Sequence, residues 1–160
     1  MAEDINSVNI LIRREIESLI AGPMIKAFSK KFGKEKTEAV VKKVIKNLAG
    51  ESGRMLAAFT GGNKLSDLEK GLPLFAQGGA LEFELVEADS EKISMNVTRC
   101  RYAEMYKKNG MPEFGYLLSC GRDHALIEGF NPDIILTRTQ TIMEGANYCD
   151  FCFSLKNTEV

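Results

Sequence analysis

Leu81–Glu82–Phe83–Glu84–Leu85–Val86, the polar turn Asp89–Ser90–Glu91, and Ile93–Ser94–Met95–Asn96–Val97–Thr98 decide how this chain folds. Successive side chains of a strand point to opposite faces, so apolar residues at every second position build one dry face and one wet face. Two such runs around a short polar turn predict a β-hairpin. A second pair follows: Ile134–Ile135–Leu136–Thr137–Arg138–Thr139–Gln140–Thr141, a turn at Glu144–Gly145, and Cys149–Asp150–Phe151–Cys152–Phe153. Its enrichment in Ile and Thr supports strands. Between the hairpins, Tyr102 to Asn109 reads as a short helix closed by Gly110. Pro112 then opens another that carries Phe114, Leu117 and Leu118 inward.

Upstream the period is helical. Val8, Leu11, Ile12, Ile16, Leu19 and Ile20 form one stripe at three- and four-residue spacing, which predicts a buried face. Gly22–Pro23 interrupts it, and Pro23 starts a second helix that turns Ile25, Phe28 and Phe32 inward and stops at Gly33. A third carries Val40, Val41, Val44, Ile45 and Leu48 and ends at Gly50; a fourth, Met55 to Phe59, closes at Gly61–Gly62. In residues 61–79, Ser66–Asp67–Leu68–Glu69 has the character of a helix start, while Gly71, Pro73 and Gly78–Gly79 keep that helix short. Strands that come in pairs rather than alternating with long helices predict an α+β fold. The expectation is N-terminal helices packed on a roughly four-stranded antiparallel sheet of two hairpins separated by short helices. Residues 1–160 read as a single domain, 1–79 mainly helical and 80–160 containing the sheet.

The 21 Lys and Arg balance 22 Asp and Glu, for a net charge of −1, without the basic surplus of a nucleic-acid partner. The Lys-rich stretch from Lys26 to Lys46 reads first as a solvated helix face. Met1–Ala2–Glu3–Asp4 starts acidic with no apolar run behind it, and nothing approaches the ~18 apolar residues of a membrane span. A cytoplasmic protein without nucleic-acid or membrane partners is therefore expected. Its four cysteines would be free thiols. The amphipathic helices leave a homodimer open. No phosphate-binding glycine loop, G-x-S-x-G or H-E-x-x-H occurs, and no cofactor is implied.

The densest chemistry lies at Cys120, Asp123 and His124. If the helix begun at Pro112 runs on, these share a face: a thiol that a histidine could activate and a carboxylate that could orient the imidazole. Gly121 can end the helix first, which would leave Cys120 in the core, Asp123 capping a new helix and His124 on the surface. Continued strand parity puts Cys100 with Asn96 and Thr98 on the polar face, unless a turn intervenes and reverses the argument. Cys149 shares parity with Phe151 and Phe153 and should line an apolar wall, whereas Asp150 and Cys152 face away. The C-x₂-C spacing of Cys149 and Cys152 lies on a strand, which splits its sulfurs and disfavours a metal knuckle. A metal site of Cys100, Cys120 and Cys149 stays open. Arg138 shares parity with Ile134 and Leu136, as either a surface residue or a fork for a substrate carboxylate.

In order and spacing, Cys100-x-Tyr102, Leu118-x-Cys120-x-x-Asp123, Arg138–Thr139–Gln140–Thr141 and Gly145-x-x-x-Cys149–Asp150–Phe151 resemble the L-2-amino-thiazoline-4-carboxylic acid hydrolase family. The resemblance implies a hydrolase that opens a cyclic amidine at a C–N bond, leading through a carbamoyl-cysteine. On that chemistry Cys120 or Cys100 attacks the ring carbon while Asp123 handles the proton on ring nitrogen, or the carboxylate activates water and the cysteines only shape the pocket. Arg138 would hold the substrate carboxylate, Thr139 or Thr141 the exocyclic amine, with Tyr102, Cys149 and His124 in the binding wall. The pattern is also similar, more weakly, to the domain named for 4-vinyl reductase, whose counterpart here would be a small-molecule or metal-binding sensor without turnover.

Overall fold

The computed structural model describes residues 8–156; the acidic start at Met1–Asp4 lies outside them. Two long helices come first, α1 (Ile10–Phe32) and α2 (Lys34–Thr60). A short α3 (Leu65–Gly71) runs into a 3₁₀ segment, Leu72–Gly79, and leads to the hairpin β1 (Leu81–Ala88) and β2 (Lys92–Cys100). Helices α4 (Arg101–Lys108), α5 (Pro112–Leu118) and α6 (Asp123–Phe130) follow, and the second hairpin is β3 (Ile134–Thr137) and β4 (Cys149–Leu155). The sheet has the order β1-β2-β4-β3 and is antiparallel throughout, so the hairpins join through β2 and β4. The α+β fold expected from the strand pairing is the one observed.

The alternation of the strands becomes burial on one face. Ile93, Met95 and Val97 of β2, Ile134 and Leu136 of β3, and Cys149 and Phe153 of β4 are all buried. Ile93, Met95, Ile134, Leu136 and Phe153 pack with Leu65, Leu68 and Leu72 from α3 and its extension, and with Ala125, Leu126, Ile127 and Phe130 of α6, while Val97 and Cys149 cluster with Ala80, Cys100 and Tyr102. Helix α2 contributes Ala49 and Leu56 from behind α6. A second cluster joins Ile25 of α1 to Tyr106, Phe114, Leu117 and Leu118.

The N-terminal half departs from expectation in three ways. Helix α1 runs through Pro23, which is exposed, so the carbonyl that loses its donor sits on the wet side of the helix. The third and fourth expected helices are one, because Gly50 and Gly53 lie inside α2. There they serve as a crossing point: a Cβ on Gly53 would stand 2.6 Å from Phe130 N and 2.9 Å from Gly129 C, and one on Gly129 would stand 2.7 Å from Gly50 Cα. Only glycines allow α2 and α6 to approach this closely. The third departure concerns the apolar stripe of α1, which faces outward. Ile12, Ile16, Leu19, Ile20, Phe28 and Phe32 are exposed, as are Val40, Val44, Leu48, Met55 and Phe59 of α2. The buried residues of α1 are Ser18, Gly22 and Ile25, and Ile10, Leu11 and Ala21 pack partly buried beside them. Both faces of α1 carry apolar residues, so periodicity could not choose between them.

Candidate active site

Between the sheet and the helices lies a cavity of about 130 Å³. Phe83, Met95, Val97, Leu136, Phe151 and Phe153 form its sheet wall, and Leu68, Leu126 and Ile127 face them from α3 and α6. Into this apolar shell project Cys100, Tyr102, Cys120, Asp123, Arg138 and Cys149, with Arg14 and Arg122. Six of the nine residues singled out in the sequence therefore share one cavity.

Cys100 reaches it through a β-bulge. Opposite Glu82 and Phe83 of β1 stand Arg99 and Val97, so Thr98 is the extra residue of β2. The extra residue reverses parity and turns Cys100 inward beside Val97. Its expected place on the polar face is thereby corrected. Cys120 and Asp123 are not on one helix. α5 ends at Leu118, a 3₁₀ turn spans Cys120–Arg122, and α6 begins at Asp123. The reading in which Gly121 ends the helix holds: this turn aims both groups into the cavity and leaves His124 exposed outside it. Thr139 and Thr141 also lie outside. The Thr139 hydroxyl donates to Asp150 Oδ2 at 2.6 Å, and the buried Thr141 hydroxyl donates to Glu144 Oε2 at 2.8 Å.

Arg138 and Asp123 form the charged centre. Arg138 Nη1 donates to Asp123 Oδ2, and Nη2 donates to the Cys120 carbonyl at 3.2 Å. The guanidinium lies over the rings of Phe151, at 5.2 Å, and Tyr116, at 5.9 Å. Its side chain is only 2% exposed, whereas Asp123, though surrounded by protein, keeps 32% of its side-chain surface open to the cavity. Burial raises the Asp123 carboxyl to about 6, against the opposing pull of the Arg138 cation. The thiols move the same way. Burial pushes Cys100 up to about 11; Cys120 is raised by burial and then by the Asp123 charge, and Cys149 by burial. At neutral pH all three are protonated, which is unfavourable for nucleophilic attack. Burial likewise raises the Tyr102 phenol to about 12, and its hydroxyl donates to the Phe75 carbonyl at 3.1 Å.

Two features escaped the sequence reading. Asp150 points away from the cavity, as parity predicts, but accepts from Thr139 N at 3.0 Å and Gln140 N at 2.8 Å. Those bonds and the Thr139 hydroxyl outweigh burial and hold its carboxyl below the usual range. They pin the chain immediately after Arg138 and so fix where that side chain points. The other missed residues are Arg14 and Arg122. Arg122 sits inside the Cys120-x-x-Asp123 spacing, while Arg14 lies on α1 between the residues of the apolar stripe and faces inward to the cavity. Among the described residues, no three His, Cys, Asp or Glu side chains are grouped as metal ligands.

Two solved structures share this architecture. The phenol-responsive sensory domain of the transcription activator PoxR, with phenol, aligns at a TM-score of 0.56 and 12% identity, covering 91% of this chain and 76% of that one. A trafficking protein particle complex subunit 3 from Naegleria fowleri, covalently bound to palmitic acid, aligns at 0.56 and 9% identity, covering 91% and 96%. At these identities the likeness is one of fold. No curated protein matches the chain. Residues 13–153 match the L-2-amino-thiazoline-4-carboxylic acid hydrolase model, nearly the whole chain and all of the cavity except Ile10, and this protein belongs to that family.

Proposed function

We propose that the chain is a hydrolase that opens a small cyclic amidine of the 2-amino-thiazoline-4-carboxylate type, with Asp123 as its acid–base group. The observation that carries this is a carboxyl that faces an apolar-walled cavity and is held by a buried arginine, in surroundings whose burial raises it to about 6. A general base works best when its pKa lies near the operating pH. In the proposed cycle Asp123 takes a proton from water as its oxygen adds to the amidine carbon. The resulting carboxylic acid gives that proton to the ring nitrogen, and the carboxylate then carries the hydroxyl proton of the tetrahedral adduct to the same nitrogen as the C–N bond breaks, leaving an open-chain carbamoyl product. Arg138 orients Asp123 and favours its ionised form before each turnover. The thiols of Cys100, Cys120 and Cys149 shape the pocket. At about 130 Å³ the cavity offers roughly ten water-sized positions, enough for a ligand of about nine non-hydrogen atoms.

Ring opening by Asp123→Asn and Cys120→Ser separates this route from the covalent one. Loss of at least ~100-fold in the first and near-full activity in the second are expected. A dead Cys120→Ser beside an active Asp123→Asn would refute the assignment. The sensor reading gains from the phenol and palmitate bound in the two structural relatives. It predicts binding of a small apolar ligand with no turnover.

The outward apolar faces of α1 and α2 favour a homodimer. Eleven large residues that are 46–73% exposed present roughly 1,000 Å² of apolar surface, more than the largest patch of a typical monomer. That is also about what one partner contributes to a stable interface. The second copy would lay its own α1–α2 pair across this face.

A further inference from the structure

Three arginines reach the cavity, and their charges are not equally answered. Arg138 has Asp123 and the Cys120 carbonyl. Arg14, from α1, donates from Nη1 to Glu17 Oε2. Arg122 is only 8% exposed, yet among the described residues its guanidinium has no hydrogen-bond or ion-pair partner. None of its nitrogens is sealed against protein, so they face open space. Glu17 and Asp123 are the acidic groups that attract it from nearby, and each is already engaged by another arginine. A buried charge without a partner is costly, and such groups are retained where a ligand completes them.

The position of Arg122 adds direction. Arg14 and Arg122 line the cavity and also a groove of about 980 Å³ between α1 and α2, floored by Tyr106 and Leu118. They stand where the two spaces adjoin. Arg138 is less available as the fork expected from the sequence, because it is already paired with Asp123 through Nη1, bonded to the Cys120 carbonyl through Nη2, and only 2% exposed at its side chain. We propose that Arg122, assisted by Arg14, is the anion-binding pole of the cavity and takes the carboxylate of the small substrate. Asp123 and Arg138 then work on the ring. The arrangement rests on the ring-opening reading for the substrate's identity, but not for its charge.

The test uses 2-aminothiazole-4-carboxylate, an aromatic probe without a hydrolysable ring, and its neutral carboxamide. In calorimetric titration of the wild-type protein the carboxylate should bind at least tenfold more tightly than the amide. In thermal melts it should raise Tm where the amide does not. Arg122→Met should erase both differences, and Arg122→Lys should keep part of them. A structural role would make Arg122→Met unfold at lower temperature; here the unliganded variant should melt at the same temperature or higher, because an unanswered buried charge is gone. Equal binding of the two probes to the wild type, failure of both to bind, or a preference that survives in Arg122→Met would overturn the proposal. Should Arg122→Met not fold, the wild-type comparison and Arg122→Lys still decide. Carboxylate selectivity without thiazoline turnover would remove the hydrolase reading and leave this site standing. Turnover with an unchanged KM in Arg122→Met would do the reverse.

Discussion

Gly53→Ala tests the crossing on which the site is built. A methyl group at Gly53 would stand 2.6 Å from Phe130 N and 2.9 Å from Gly129 C, with the Leu126 carbonyl closer still. Ordinary contact begins near 3.4 Å, so α2 and α6 must separate by more than ~0.8 Å. The obstacle is backbone, so no side chain can rotate away. Overpacking of this kind costs about 3 kcal/mol, of which the better helix propensity of Ala returns about 1 kcal/mol. The net loss is about 2 kcal/mol, or roughly 4–8 °C in Tm for a chain of this size. Urea unfolding of the purified variant measures it. The internal control is Gly50→Ala, whose methyl group would lie 3.7 Å from the Ala125 carbonyl in ordinary contact. That change should stabilise by about 0.5–1 kcal/mol. A Gly53→Ala protein within ~0.5 kcal/mol of wild type, or a Gly50→Ala protein equally damaged, would refute the reasoning. Because α6 starts at Asp123, Gly53→Ala should also lower turnover more than substrate binding.

Ring-opening activity should fall tenfold per pH unit below about 6 and level off above it, since Asp123 must be ionised to accept a proton; a pH–rate profile flat from 5 to 7 would count against Asp123. The same group sets a stability trend. Its folded pKa is raised above the usual carboxylate value of 3.8, so its contribution is present below about pH 4 and lost as pH rises through 6. Asp123→Asn should flatten that segment of a Tm-versus-pH curve. Asp150→Asn should release the chain after Arg138 and reduce kcat while leaving the cavity's thiols unreactive; unchanged kcat would mean that Arg138 is held without it. Phe28→Glu combined with Val44→Glu should halve the mass measured by light scattering if the α1–α2 face joins two copies, and a wild-type protein that is already monomeric would sink the dimer.

What could be read without a structure is what local pattern dictates. Alternation in Leu81–Val86, Ile93–Thr98 and Cys149–Phe153 specified two hairpins and the inward side of β4, because a strand has only two faces. Pro112 and Gly110 marked the ends of short helices through backbone chemistry that acts at the residue itself. Cys100 defeated the same logic, since one bulged residue at Thr98 inverts parity and leaves no compositional trace. The long helices defeated it more fully. Gly50 and Gly53 signify a helix end when read locally and a close helix crossing when α6 lies against them. The sign of the α1 stripe depends on which face the rest of the molecule covers. Charge behaved in the same way. Asp123 and Arg138 stand out in the sequence only as separate candidates, and Arg122 does not stand out at all. The tertiary structure paired the first two and buried the third without a partner, because pairing depends on what the fold brings within a few ångströms rather than on spacing along the chain.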